Sequence, residues 1–356
     1  MLIRVILLFV IPINPYPNMF VPGSTPNMIL SNSFKKNYLI ISKYLSKNTL
    51  FISLPVFVVA IGYIFFTIKN QQNILYSIVN NLSLDLFPFL FMVLIFQFIN
   101  WILEAIKLNI LLIGSDKYNF IDIVKAIYAG NLTALITPKR LGNFIGRSWI
   151  LNNKANHIIT ASVSGNISQL FATVLMAFMA FIALNFYKID PLNLFDSYFL
   201  ILSFIYGFIL IFLSFILFNK KWYKVFDQFN FLVFMKKPFK YLKNIVLVKR
   251  FQILLISIAR YFIFIMQYYI LFLAFNIPVE FADVAIFVAV LFGLVTFIPS
   301  IAPGNLGTRE ALSIFILGGS VIGIQLSSIA FIVWVFNVLI SALIGGFFLL
   351  NKNRKQ

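Results

Sequence analysis

Residues 299–310 read Pro-Ser-Ile-Ala-Pro-Gly-Asn-Leu-Gly-Thr-Arg-Glu and close an apolar stretch; residues 138–142 read Pro-Lys-Arg-Leu-Gly and close another. Pro138-Lys139-Arg140-Leu141-Gly142 and Pro303-Gly304-Asn305-Leu306-Gly307 share Pro-x-x-Leu-Gly at a spacing of 165 residues. The same spacing aligns Ser148 with Ser313 and Leu151 with Ile316. Each copy brings cations that a bilayer rejects: Arg140 and Arg147 in the first, Arg309 in the second. Pro and Gly interrupting corresponding hydrophobic segments in two halves of a chain point to a binding site of the transporter type.

Composition places these motifs in a membrane. The chain has 356 residues, of which 61% are hydrophobic and 11% charged; its mean hydropathy is +0.97. A soluble chain carries about 25% charged residues. Several runs reach the roughly 20 apolar residues that cross a hydrocarbon core, and they are continuous rather than alternating, which argues against a β-barrel. The fold class is therefore an all-α polytopic membrane protein. With no Cys and one His (His157), thiolate metal sites, disulfides and haem are excluded, so no cofactor and no metal is expected. The net charge of +18 lies mostly in loops. It reads as loop asymmetry and attraction to anionic lipid, with no nucleic acid as partner.

Six spans are predicted, at about 49–68, 84–112, 157–185, 195–218, 251–276 and 325–350. The stretches 121–137 and 284–298 run into the two motifs. Each, with the amphipathic segment that follows (144–152 and 308–318), reads as a re-entrant helical hairpin, a backbone tolerated at membrane depth only inside protein or beside a cavity. Residues 1–48 form an N-terminal extension, expected to be flexible and cytoplasmic. Its first part, 1–34, holds a short apolar run and then five Pro residues, so a signal peptide and a start at Met19 or Met28 are both open readings.

Charge sets the orientation. Lys35, Lys36, Lys43 and Lys47, the loop 219–250 and the tail 351–356 are basic and expected on the cytoplasmic side of a cell (inner) membrane. The loops near 69–83, 186–196 and 277–283 are poor in cations and face outward. The spans then alternate only if the first hairpin enters from the cytoplasm and the second from outside. The halves, about 49–185 and 195–350, become an inverted repeat.

The residues expected to carry function follow from that topology. Pro138, Gly142, Pro303, Gly304 and Gly307 break the helical ladder, and a helix starting after each Gly directs its N–H groups inward, where anions bind. Arg140, Arg147 and Arg309 add fork-shaped donors suited to phosphate, although Arg140 reads equally well as snorkelling to headgroups. Glu310 adjoins Arg309 and does not face it along a helix. Glu104 and Lys107, spaced i, i+3, can pair on one face, and Arg260 lies on the span before the second motif. Asn131, Thr133, Asn166, Ser168, Gln169 and Asn337 read either as a polar path or as helix–helix hydrogen bonds. Trp334 reads in the same two ways as Asn337, Trp101 chiefly as packing, and Gly345-Gly346 as close helix contact. No nucleophile–base set, P-loop or dinucleotide fingerprint is present, so an enzyme is the weaker expectation.

Thr137-Pro-Lys-Arg-Leu-Gly-Asn143 with Arg147, and Ile298 through Glu310, resemble the two signature stretches of the lysylphosphatidylglycerol synthase transmembrane-region family, flippase-like integral membrane proteins. The resemblance spans about 49–350, and Trp101–Leu112 resembles the stretch before the family's first motif. Asn143 stands where relatives carry Glu, Asn305 where they carry a second Gly, and an Arg common in the last span is absent near Trp334 and Asn337. The resemblance implies binding or movement of a lipid with an anionic headgroup, a phospholipid or a polyprenyl-linked glycolipid. It also implies no aminoacyl transfer, since the transferring members add a large soluble domain. The alternative is a membrane glycosyltransferase, or an accessory protein in cell-envelope glycolipid synthesis; the acidic metal-binding pair of such an enzyme is missing. Partners expected besides the lipid are a second copy of the chain or enzymes of envelope biosynthesis.

Overall fold

The protein is described by a computed structural model, which describes residues 86–112, 118–137, 142–151, 155–187, 196–218, 241, 244–298, 305–317 and 321–352. All of them belong to one compact unit. The expected span 49–68, the extension 1–48, and the site candidates Pro138, Arg140, Pro303 and Gly304 lie outside the described residues.

Every described element is a helix. In hydrocarbon no water pairs with exposed N–H and C=O groups, so an apolar run must satisfy its backbone within itself. Helices α1 (Phe87–Leu112), α2 (Phe120–Ile136), α3 (Asn143–Leu151), α4 (Ala155–Tyr187) and α5 (Asp196–Phe218) are followed by α6 (Leu247–Ala274), α7 (Phe281–Phe297) and α8 (Thr308–Leu317). The last element runs as α9 (Val321–Trp334), a π-helical turn (Val335–Ile340) and α10 (Ser341–Lys352). Among the described residues, five helical stretches are long and apolar enough to cross a membrane, at 87–112, 157–186, 199–218, 247–274 and 325–351. They match five of the six predicted spans within a few residues. Within the span predicted at 325–350 the helix carries the π turn. This chain is therefore an all-α multi-pass membrane protein.

Helix lengths recur in order. α2 and α7 have 17 residues each, α3 and α8 have 9 and 10, and the long helices preceding them, α1 and α6, have 26 and 28. Both short helices start directly after the Gly of the doubled motif, at Asn143 after Gly142 and at Thr308 after Gly307. Gly142 and Gly307 carbonyls take the first helical hydrogen bonds, from Ile145 (2.9 Å) and Ala311 (3.0 Å).

α2 and α3 fold back on each other antiparallel. The Thr133 hydroxyl donates to the Gly142 carbonyl at 2.7 Å and accepts from the Gly146 N–H at 3.2 Å. Such closeness requires missing side chains: a Cβ on Gly142 would overlap the Thr133 carbonyl, and one on Gly146 the Ala129 carbonyl. Gly345 brings α10 equally close to α2, against the Tyr128 carbonyl. The expected role of Gly345 in close packing holds.

Burial separates centre from rim. The apolar window of α5 is 17% buried and that of α6 is 56% buried. α5 turns Phe204, Phe208 and Ile211 outward, as a lipid-facing helix does, whereas α6 runs through the interior between α1, α4 and α7.

Candidate functional site

At the interior face of α1, Gln97, Asn100, Glu104 and Lys107 recur at helical spacing, and all four are buried. Polar groups survive there only when paired. Glu104 is the hub. Its Oε1 accepts from Arg147 of α3 at 2.9 Å, and its Oε2 meets Lys107 at 2.7 Å and the guanidinium of Arg260 from α6. Four elements thus converge on one carboxylate: α1, α3, α6 and, through Ser162 and Gln169, α4. Arg147 donates to the Ser162 hydroxyl at 3.2 Å, and Arg260 donates to the Gln169 amide oxygen at 3.1 Å. Arg260 also donates from Nε to Asn100 at 2.8 Å and lies over the Trp101 ring, 5.4 Å from its centroid.

The charges do not cancel. Glu104, Lys107, Arg147 and Arg260 are 3%, 1%, 1% and 7% exposed. Three cations surround one anion, and among the described residues no other acidic side chain pairs with these cations. Burying a charge without a partner costs several kcal/mol, so two positive charges enclosed here attract an anion strongly.

An amide chain extends the network. Asn100 donates to Asn337 at 3.2 Å, Asn337 donates to Gln267 at 2.8 Å, and Gln267 donates to the Val93 carbonyl at 3.1 Å. Asn337 sits inside the π turn. That turn shifts the helical register locally, a device common at functional sites.

The second motif forms a separate place. Arg309 and Glu310 are buried, at 6% and 2% exposure, in the first turn of α8. Arg309 lies over Phe292, 5.8 Å from the ring centroid. The Glu310 carboxylate faces the N–H groups of Gly307 and of its own residue without a hydrogen bond of regular geometry. Tyr268, next to Gln267 on α6, lies within electrostatic reach of both residues. Asn305 has φ 59° and Gly307 φ 80°. Where relatives were expected to carry a second Gly, this chain keeps the left-handed backbone with Asn, a residue that tolerates it.

Of the described candidates, the structure brings Glu104, Arg147 and Arg260 together and leaves Arg309 and Glu310 apart from them. Gly142 and Gly307 start helices, as expected. The pairing of Glu104 with Lys107 is present but is one arm of a larger cluster. Gln169 and Asn337 join the network, whereas Ser168 bonds the Ser164 carbonyl within its own helix and Asn166 is exposed. Trp101 packs, and beneath a cation. Asn143 is buried against Gly130 at the start of α3. Sequence reasoning missed Asn100, Ser162 and Gln267. Their signal was spacing: Asn100 lies four residues before Glu104, and Gln267 seven after Arg260.

A family profile described as "Lysylphosphatidylglycerol synthase TM region" matches residues 51–346. No curated protein and no solved structure gives a significant match.

Proposed function

The chain belongs to the lysylphosphatidylglycerol synthase TM region family, and from that membership we propose that it binds a lipid with an anionic headgroup and carries it across the membrane. The observation behind this reading is the buried cluster of three cations around Glu104. A phosphate is the lipid group that such a cradle suits, through fork-shaped guanidinium donors and a point-charge ammonium. The phospholipid and the polyprenyl-linked glycolipid share that phosphate.

Movement is proposed to follow from an inverted repeat. The ordered recurrence of helix lengths, and the start of α3 and α8 at matching motif positions, support two related halves. In this reading α2–α3 and α7–α8 are re-entrant hairpins entering from opposite faces, and rocking of the halves exposes the cradle alternately. The termini are proposed to be cytoplasmic, from the basic loops and tail.

The test is translocation of fluorescent phosphatidylglycerol in proteoliposomes. Wild type is expected to move the lipid, and Arg147→Gln and Arg260→Gln to slow it about tenfold or more, as loss of a buried charge-assisted contact does. Folded wild-type protein that moves no anionic lipid overturns the proposal.

A further inference from the structure

We infer that the Glu104 cradle is matched to a phosphate bearing two negative charges, a phosphomonoester, rather than to the single charge of a phosphodiester. The inference rests on the lipid-headgroup reading above and narrows it. Its ground is the charge count. Glu104 offsets one of the three cations, and among the described residues Lys107, Arg147 and Arg260 have no other acidic partner. A phosphodiester leaves one buried positive charge, and a phosphomonoester dianion leaves none.

Two donors remain open in the cluster, one beside each of the pairings of Arg147 and Lys107 with Glu104 Oε1 and Oε2. Arg260 is spent: it serves Glu104, Asn100 and Gln169. Arg147 Nε and Lys107 Nζ are buried and make no hydrogen bond of regular geometry, although each cation touches Glu104. Each is flanked by a glycine. A Cβ on Gly165 would stand 3.4 Å from Lys107 Cε, and one on Gly130 would stand 3.0 Å from Arg147 Cγ. The missing side chains let the backbones of α4 and α2 pack closely against the stems of the two cations. Among the described residues, the polar side chains bonded to these cations besides Glu104 are Ser162 and Gln169 of α4 and Asn100 of α1, all uncharged. His157 of α4 faces Tyr241, 3.2 Å away.

The experiment measures binding to the purified full chain in an uncharged detergent, by the rise in unfolding temperature with added ligand. The probes are dioleoyl phosphatidic acid, dioleoyl phosphatidylglycerol and inorganic phosphate. A phosphomonoester loses its second proton near pH 6. Phosphatidic acid is expected to bind about tenfold more tightly than phosphatidylglycerol at about pH 7.5, and the two about equally at about pH 5, where each carries one charge. Lys107→Gln, which lowers the surplus by one charge, should reduce the ratio at about pH 7.5, and Lys125→Gln, at a half-buried residue paired with Asp122 outside the cluster, should not. If Lys107→Gln fails to fold, the pH dependence of the wild-type ratio still decides. Equal affinities at about pH 7.5 overturn this inference and leave the lipid reading standing. Inorganic phosphate binding as tightly as phosphatidic acid supports the dianion cradle and overturns the lipid reading. No binding of any probe overturns both.

Discussion

Arg147 and Glu104 lie 43 residues apart in sequence and 2.9 Å apart in space. Their pairing ties the short helix after the first motif to the interior face of α1. The bond is a structural tether and a charge contact at once, because both side chains are buried. Removing the carboxylate leaves three enclosed cations facing each other. Glu104→Gln is expected to destabilise the fold by about 3–5 kcal/mol, the usual cost of breaking a buried ion pair from one side. The double variant Glu104→Gln/Lys107→Gln should be less unstable than the two single losses added together, because it removes one of the repelling charges. Unfolding of each variant in micelles measures both quantities, and strict additivity would show that Lys107 does not share the cluster.

Close backbone contact makes a second expectation. A Cβ on Gly146 would overlap the Ala129 carbonyl, and one on Gly345 the Tyr128 carbonyl, and a backbone carbonyl within a helix cannot swing aside. A Cβ on Gly207 meets only the rim of the Phe178 ring at 3.0 Å, and a ring can move. Gly146→Ala and Gly345→Ala should each cost about 1–3 kcal/mol, as overpacking does, and Gly207→Ala clearly less. Thermal unfolding of the three variants ranks them.

How much of this was legible depends on distance along the chain. The spans followed from apolar runs, and the starts of α3 and α8 from Gly142 and Gly307, since those signals are local. The pair Glu104–Lys107 was legible for the same reason. Arg147 and Arg260 stood out as cations in apolar surroundings, but their common partner did not, because it is set by how α1, α3 and α6 pack. Asn100 and Gln267 were harder still. A single amide in a span carries little meaning until a neighbouring helix supplies its partner. The second motif carries its own Arg-Glu pair, yet the larger charge cluster includes Arg147, just after the first.

Asn305 tests the backbone reading of the second motif. Its φ of 59° lies in the left-handed region, which costs most residues about 1–2 kcal/mol and Gly nothing. Asn305→Gly should therefore leave stability unchanged or raise it slightly. Asn305→Val places a β-branched side chain there and should lower stability by about 2 kcal/mol or more. If both variants unfold alike, the Asn side chain matters through contacts and not through its backbone.

The proposed topology has a direct chemical test, helped by the absence of Cys from the chain. Single cysteines at Asn153 and Ser320 follow the first and second hairpins. An inverted repeat sets 153 on the cytoplasmic face and 320 on the outer face. A membrane-impermeant maleimide applied to intact cells should label the second and not the first, and the reverse pattern should hold in inside-out vesicles. Labelling of both from one side would remove the inverted repeat and leave the charge cluster without its alternating-access role.

Asn337 joins the two halves of the amide chain, accepting from Asn100 and donating to Gln267. Its place in a π turn lets its side chain reach both partners while its Nδ2 also meets the Val333 carbonyl at 3.0 Å. Asn337→Leu keeps the volume and removes every one of these bonds. It leaves the Asn100 amide and the Gln267 oxygen unpaired in an apolar interior. Hydrogen bonds between membrane helices average about 0.6 kcal/mol and reach about 1.7, so a loss of about 1–2 kcal/mol is expected for the set. A larger functional effect should accompany it. Asn100 holds Arg260 Nε at 2.8 Å, so freeing Asn100 loosens the guanidinium that faces Glu104. Translocation should fall further in Asn337→Leu than in a control of equal instability such as Gly345→Ala. Equal losses in both would reduce Asn337 to a packing residue.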